Sequence, residues 1–136
     1  SSKFVDIVTS IYDQQADDEL KTRSNVGIFR QIRPANWPGR LHYEFYDLRE
    51  YFGVELHLEA NNIQDLAEIL KQFDGCHLAS GVFLEWDSSW FKGRGRLIAR
   101  FQKNHDPMVI VRAMQELIRI TRPEVDRWLK SRNSSA

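Results

Sequence analysis

One cysteine, Cys76, in 136 residues excludes an intramolecular disulfide and argues for a reducing compartment. Long apolar runs are missing too: none approaches the roughly 20 residues needed to cross a bilayer. The first residues lead into a helical pattern instead of a signal-type apolar block, so the expected location is cytoplasmic. Charge of one sign is likewise absent. Nineteen basic and nineteen acidic residues cancel, so no global field draws the chain to nucleic acid or an anionic membrane, which leaves only local patches for such work. What is present is ordinary globular composition, 42% hydrophobic and 28% charged, at a length that buries a core without staples. A single α+β domain over residues 1–136 is expected. The ends, SSK and SRNSSA, read as trimmed or tag-flanked, which leaves a longer parent protein open.

The stretch Arg40–Glu59 organises the rest. Leu41, Tyr43 and Phe45 alternate with His42, Glu44 and Tyr46, and Val54, Leu56 and Leu58 alternate with Glu55, His57 and Glu59. Period-two alternation predicts two half-buried strands, paired antiparallel, with one apolar and one polar face. Around them the spacing predicts a helix from about residue 3 to 20 (Phe4, Val5, Val8, Ile11, Tyr12) and a strand over 26–33 with Gly27 inside it. PANWPG at 34–39 is a loop. Asn62 predicts the N-cap of a helix carrying Ile63, Leu66, Leu70 and Phe73, closed by Gly75. A second hairpin is expected from Val82–Asp87 and Arg94–Phe101. Asp106-Pro107 starts a long helix that Pro123 restarts or kinks before Val125, Trp128 and Leu129. The order α-β-β-β-α-β-β-α gives a mostly antiparallel five-stranded sheet with helices over one face.

Several groups of residues bear on chemistry. A loop centred near Arg49-Glu50 sets His42 opposite His57 and Glu44 opposite Glu55, about 5 Å apart. Two imidazoles and a carboxylate at that distance suit a zinc-like cation, although no established ligand spacing is matched and a solvated sheet face has the same composition. Glu85 and Asp87 face a return strand bearing Arg94, Arg96 and Arg100, which favours cross-strand ion pairs over acid–base or magnesium chemistry. Lys92-Gly93-Arg94-Gly95-Arg96 joins cations to a close-approaching backbone, with Trp90 and Phe91 available for stacking on an unpaired base. Arg30, Arg33 and Arg40 near Trp37 form a second cluster of this kind. No P-loop ending follows KGRGR, and Cys76-His77 and Ser80, Ser88 and Ser89 stand in no nucleophile context. Arg119 and Arg122 on the last helix are candidates to share a surface with the KGRGR loop.

The series GIFRQI, VELHLE, LKQF, FLEW, GRGRLIARF and MQELIRITRPEV resembles small α+β domains of unknown function found beside PD-(D/E)XK-type nucleases in prokaryotic genome-defence proteins. The resemblance implies an accessory module and not the catalytic part. The nuclease motif itself is absent, since Glu55-Leu56-His57 has histidine where that motif has lysine. The resulting reading is a non-catalytic, cofactor-free, macromolecule-binding module. Nucleic acid is the candidate partner, with Trp37, Arg40, Trp90, Lys92, Arg94 and Arg96 as the binding residues. The alternatives are a metal-dependent hydrolase using His42, Glu44, Glu55 and His57, and a protein–protein or homodimer module docking around Trp128.

Overall fold

A computed structural model describes residues 3–23 and 27–134, with the side chains of Lys92 and Ser134 outside what it describes. Five antiparallel strands form one sheet in the order β1-β2-β3-β5-β4: β1 Phe29–Ile32, β2 Leu41–Asp47, β3 Phe52–Leu58, β4 Glu85–Asp87 and β5 Arg96–Phe101. Helices α1 (Phe4–Gln15), α2 (Gln64–Leu70) and α4 (Pro107–Ser134) cover one face. The fold is thus α+β, as the alternation in the sequence requires. Among the described residues no helix is long and apolar enough to cross a membrane.

The core follows from strand parity. Leu41, Tyr43 and Phe45 on β2, Phe52, Val54, Leu56 and Leu58 on β3, and Leu97, Ala99 and Phe101 on β5 share one side and are buried against Val5, Val8 and Tyr12 of α1 and Ile110, Met114 and Leu117 of α4. Each such large side chain contributes about 1.5–3 kcal/mol by leaving water. Polar atoms on this side find partners. The Tyr43 hydroxyl lies 2.8 Å from Thr121 Oγ1, whose own proton goes to the Leu117 carbonyl at 2.6 Å.

Several boundaries differ from expectation. α1 stops at Gln15 because Ala16 and Asp17 turn extended, and residues 18–20 form a separate 3-10 turn capped by the Tyr12 hydroxyl on the Leu20 carbonyl. Val26 lies outside the described residues, and Gly27 is a turn residue ahead of β1, not within it. Asn62 does not cap α2: it is left-handed, at φ 60°, and Ile63 takes the N-cap position. β4 is only three residues long because 82–84 fold back on 76–78, with Leu78 and Val82 joined by backbone and His77 bridged to Phe83. α4 runs through Pro123 as one helix. The proline removes the backbone donor to the Arg119 carbonyl and crowds that carbonyl with its ring, and the helix continues past it. Trp128 is buried in the core and carries Arg132 over its ring, so it offers little surface for docking.

Candidate functional site

The four-residue connection Leu48–Tyr51 pins the β2–β3 register, with the Leu48 amide bonded to the Tyr51 carbonyl at 3.0 Å. His42 falls opposite His57 and Glu44 opposite Glu55, as the alternation predicts. β5 adds Arg96 beside His57, and β4 adds Asp87 beside Arg96. This face is not open to water. His42, Glu44, Glu55, His57 and Arg96 are all buried, because the chain from Asp87 to Gly95 crosses above them. That crossing contains a single helical turn, α3 (Trp90–Gly93). The Trp90 ring lies 4.9 Å from the His57 ring, and the Arg96 guanidinium sits 4.0 Å over the indole.

Within the enclosure the groups form two layers. In the inner layer Glu55 Oε1 accepts from Arg96 at 2.7 Å and is 2.6 Å from His57 Nε2, while Arg96 Nε reaches Asp87 at 3.0 Å. The carboxylate of Glu55 occupies the space over Gly53 that any larger residue would fill. In the second layer Glu44 and Glu59 face the other edges of the imidazoles, at 3.5 Å (Glu44 to His42 Nε2), 3.7 Å (Glu44 to His57 Nδ1) and 3.2 Å (Glu59 to His57 Nδ1). The Trp90 indole N–H donates to Glu59 at 3.1 Å. Glu59 lies one residue past β3, and the Leu56–Leu58 parity that places His57 on this face places Glu59 there as well. The sequence reading put it on the polar face but not among the ligand candidates.

Glu55, a ligand candidate from the sequence, proves to stand behind His57, engaged by Arg96. Glu85 and Asp87 make the expected cross-strand ion pairs, with Arg100 at 3.0 Å and Arg96 at 3.0 Å. The basic and aromatic candidates separate. Trp37 is 4% exposed, stacks 5.1 Å from Tyr43 and donates its indole N–H to Asp126 at 2.8 Å, so it cannot receive a base. Arg96, 6% exposed and doubly paired, cannot grip a phosphate. Arg30 is on the helix side, 2.8 Å from Asp6. Arg122 pairs with Glu19 and Asp126 on the helix-covered side, away from the loop over the polar face. What the structure brings together at the surface is Arg40, Phe91 and Arg94, with the Lys92 side chain outside the described residues. Phe91 is 40% exposed and left-handed at φ 51°, and the Arg40 and Arg94 guanidinium carbons lie 5.9 and 5.4 Å from its ring centre. Arg94 is anchored from behind by the Glu59 carbonyl at 3.0 Å and by the Asn61 side chain.

The cluster sets the pH response of the cation-free domain. Burial alone depresses the His57 pKa, but the carboxylates of Glu55, Glu59 and Glu44 outweigh it and lift it from 6.5 to about 9. Glu59 and Asp87 move the other way: burial opposes their charge, yet His57 for one and Ser89 and Arg96 for the other hold them below their ordinary values of 4.5 and 3.8. A raised histidine stabilises fully below pH 6.5 and ceases to do so as pH climbs through about 9. The depressed carboxylates stabilise above their ordinary values and lose that contribution as pH falls through their lowered ones. Thermal midpoints in chelator are therefore expected to form a plateau between about pH 4.5 and 6.5 and to decline on both sides. A midpoint that kept rising to pH 9 would contradict this account.

No family model, curated protein or solved structure matches this chain.

Proposed function

We propose that the domain is a non-catalytic, cytoplasmic accessory module that binds single-stranded nucleic acid through Arg40, Phe91, Arg94 and Lys92. The observation that carries this reading is Phe91. A large aromatic held half-exposed, with a left-handed backbone that costs of order 1–3 kcal/mol, stands between two guanidinium groups. An aromatic platform flanked by cations suits a base stacked on the ring and a phosphate at either side, and it does so without reading sequence. The platform is supported from beneath, since Trp90 is pinned to Glu59 and Arg96 and Arg94 to Asn61. The resemblance to nuclease-associated domains supports the same assignment, with cleavage left to another part of a parent protein.

Anisotropy of labelled single-stranded DNA and RNA, titrated at several salt concentrations, tests the reading. Phe91→Ala is expected to lose about 1–3 kcal/mol of affinity, as measured for single stacking platforms. Arg40→Glu, at an exposed position, is expected to weaken binding and flatten the salt dependence. Absence of binding at low salt rejects the proposal. Tight binding that ignores both substitutions moves the interface elsewhere.

A further inference from the structure

Two buried ring nitrogens, His42 Nε2 and His57 Nδ1, make no well-directed hydrogen bond, the nearest oxygen to His57 Nδ1 being that of Glu59 at 3.2 Å, although buried polar atoms are rarely left so. Neither nitrogen is aimed at carbon. His42 Nε2 is 3.5 Å from a Glu44 oxygen and 4.0 Å from a Glu59 oxygen, and His57 Nδ1 is 3.7 Å from Glu44 and 3.2 Å from Glu59. Ligand atoms bound to one tetrahedral ion by bonds of about 2.0–2.1 Å stand roughly 3.3–3.4 Å from each other. The separations run from 3.2 to 4.0 Å, and each histidine meets a different oxygen of each carboxylate, so the four side chains converge at about ligand spacing. The donor atoms of His42, Glu44 and His57 all lie within 4.8 Å of one another.

The far ring nitrogen of each histidine is held, and each carboxylate is held through an oxygen that also faces a histidine. His42 Nδ1 faces the Gly39 carbonyl at 3.4 Å, and with its proton there Nε2 presents a lone pair inward. His57 Nε2 is 2.6 Å from Glu55, which Arg96 holds in turn, so Nδ1 is the free donor. Gln31 reaches Glu44 at 3.4 Å and the Trp90 indole fixes Glu59 at 3.1 Å. A carbonyl or carboxylate behind each ligating histidine is the usual outer arrangement of a metal site. Charge points the same way. With both imidazoles neutral, the form that ligates a metal, Glu44, Glu55, Glu59 and Asp87 outweigh the single Arg96 by three negative charges in a region largely closed to water.

We propose that His42 Nε2, His57 Nδ1 and the carboxylates of Glu44 and Glu59 bind one divalent transition-metal ion of the zinc class. Two imidazoles and two carboxylates are a borderline nitrogen–oxygen donor set that matches such an ion and neutralises its charge. The site is closed: both imidazoles and Glu44 are buried, and Glu59, with its side chain 17% exposed, is the rim. His42, Glu44 and His57 form the compact set and Glu59 closes the fourth position from the rim outside it, which makes a structural ion and not a hydrolytic one. This site is independent of the nucleic-acid reading.

The test uses protein purified without a metal-affinity step, stripped by chelator, and titrated with cobalt(II). One equivalent is expected to give the intense visible absorption of four-coordinate cobalt, zinc to displace it, and the thermal midpoint to rise with either ion. His42→Ala and His57→Ala are expected to abolish the absorption. Glu55→Gln, a change behind the ligand and not in it, is expected to keep the four-coordinate spectrum while weakening affinity by about 10–100-fold. If the alanine variants fail to fold, Glu59→Gln at the rim must alter the cobalt spectrum and lower affinity in a chain shown to be folded by circular dichroism. No four-coordinate absorption and no midpoint shift in the natural sequence overturns the proposal, as does uptake that is indifferent to Glu59→Gln or to a folded histidine variant.

Discussion

Arg96→Met is expected to cost about 3–5 kcal/mol of folding stability, the penalty for leaving a buried charge without its partner. Glu55 is fully buried, and its one engaged oxygen is shared between Arg96 and His57 while the other already lacks a partner. Methionine fills much of the arginine's volume, so the loss reports charge and hydrogen bonds more than a cavity. It also removes the cation beneath Trp90, and the crossing turn should become easier to digest. Adding Glu55→Gln should recover much of the loss, because the uncompensated carboxylate is then gone. Urea midpoints of the two single variants and the pair measure the coupling directly. A single-variant loss below about 1 kcal/mol would mean that water reaches this face and screens Glu55.

Gly95→Ala is the second large effect expected, about 2–6 kcal/mol from backbone strain and overpacking together. Gly95 sits at φ 111°, beyond the left-handed region that other residues sometimes tolerate. A Cβ there would overlap the Trp86 indole, with Cη2 at 2.6 Å and Cε2 at 3.1 Å. Backbone bonds hold the position from both sides: its N–H donates to the Trp90 carbonyl at 3.1 Å, and its carbonyl accepts from Leu58 at 3.0 Å. The strand and the crossing turn are therefore locked to each other at this residue. Trp86→Leu in the same chain should relieve the steric share and leave the backbone share, so partial rescue is expected. Full rescue would show that the conformation itself costs little.

The β2–β3 register was legible because alternation and loop length determine it together: one residue of slip would have sent His42 and His57 into the core. The apolar stripe of α4 was legible for the same reason of period. The fate of the polar face was not. His42, Glu44, Glu55 and His57 read equally well as a solvated surface, and what buries them is a crossing that sequence shows only as SSWFKGRG. Polarity says that such a loop is compatible with water, not where Trp90 points. Trp37 illustrates the same gap: a tryptophan between prolines was placed in a loop, which is where it is, but its ring turns inward to Tyr43 and Asp126. The KGRGR arginines looked equivalent in sequence. Strand parity turned Arg96 to the buried polar face, while Arg94, just ahead of the strand, stayed at its edge.

The positions of His42, Glu44, His57 and Glu59 on one hairpin also bear on the order in which the molecule assembles. They are brought together by closing a four-residue loop, a small entropic step that forms on the microsecond scale. Arg96, Asp87 and Trp90 arrive only when the chain returns from beyond Leu58, through α2 and the 76–84 turn, to pair β5 with β3. A short connection joins the carboxylates and imidazoles, and a much longer one brings their cover. Loop length therefore favours closing this hairpin before its cover arrives, which leaves its imidazoles and carboxylates open to a cation until the sheet is completed.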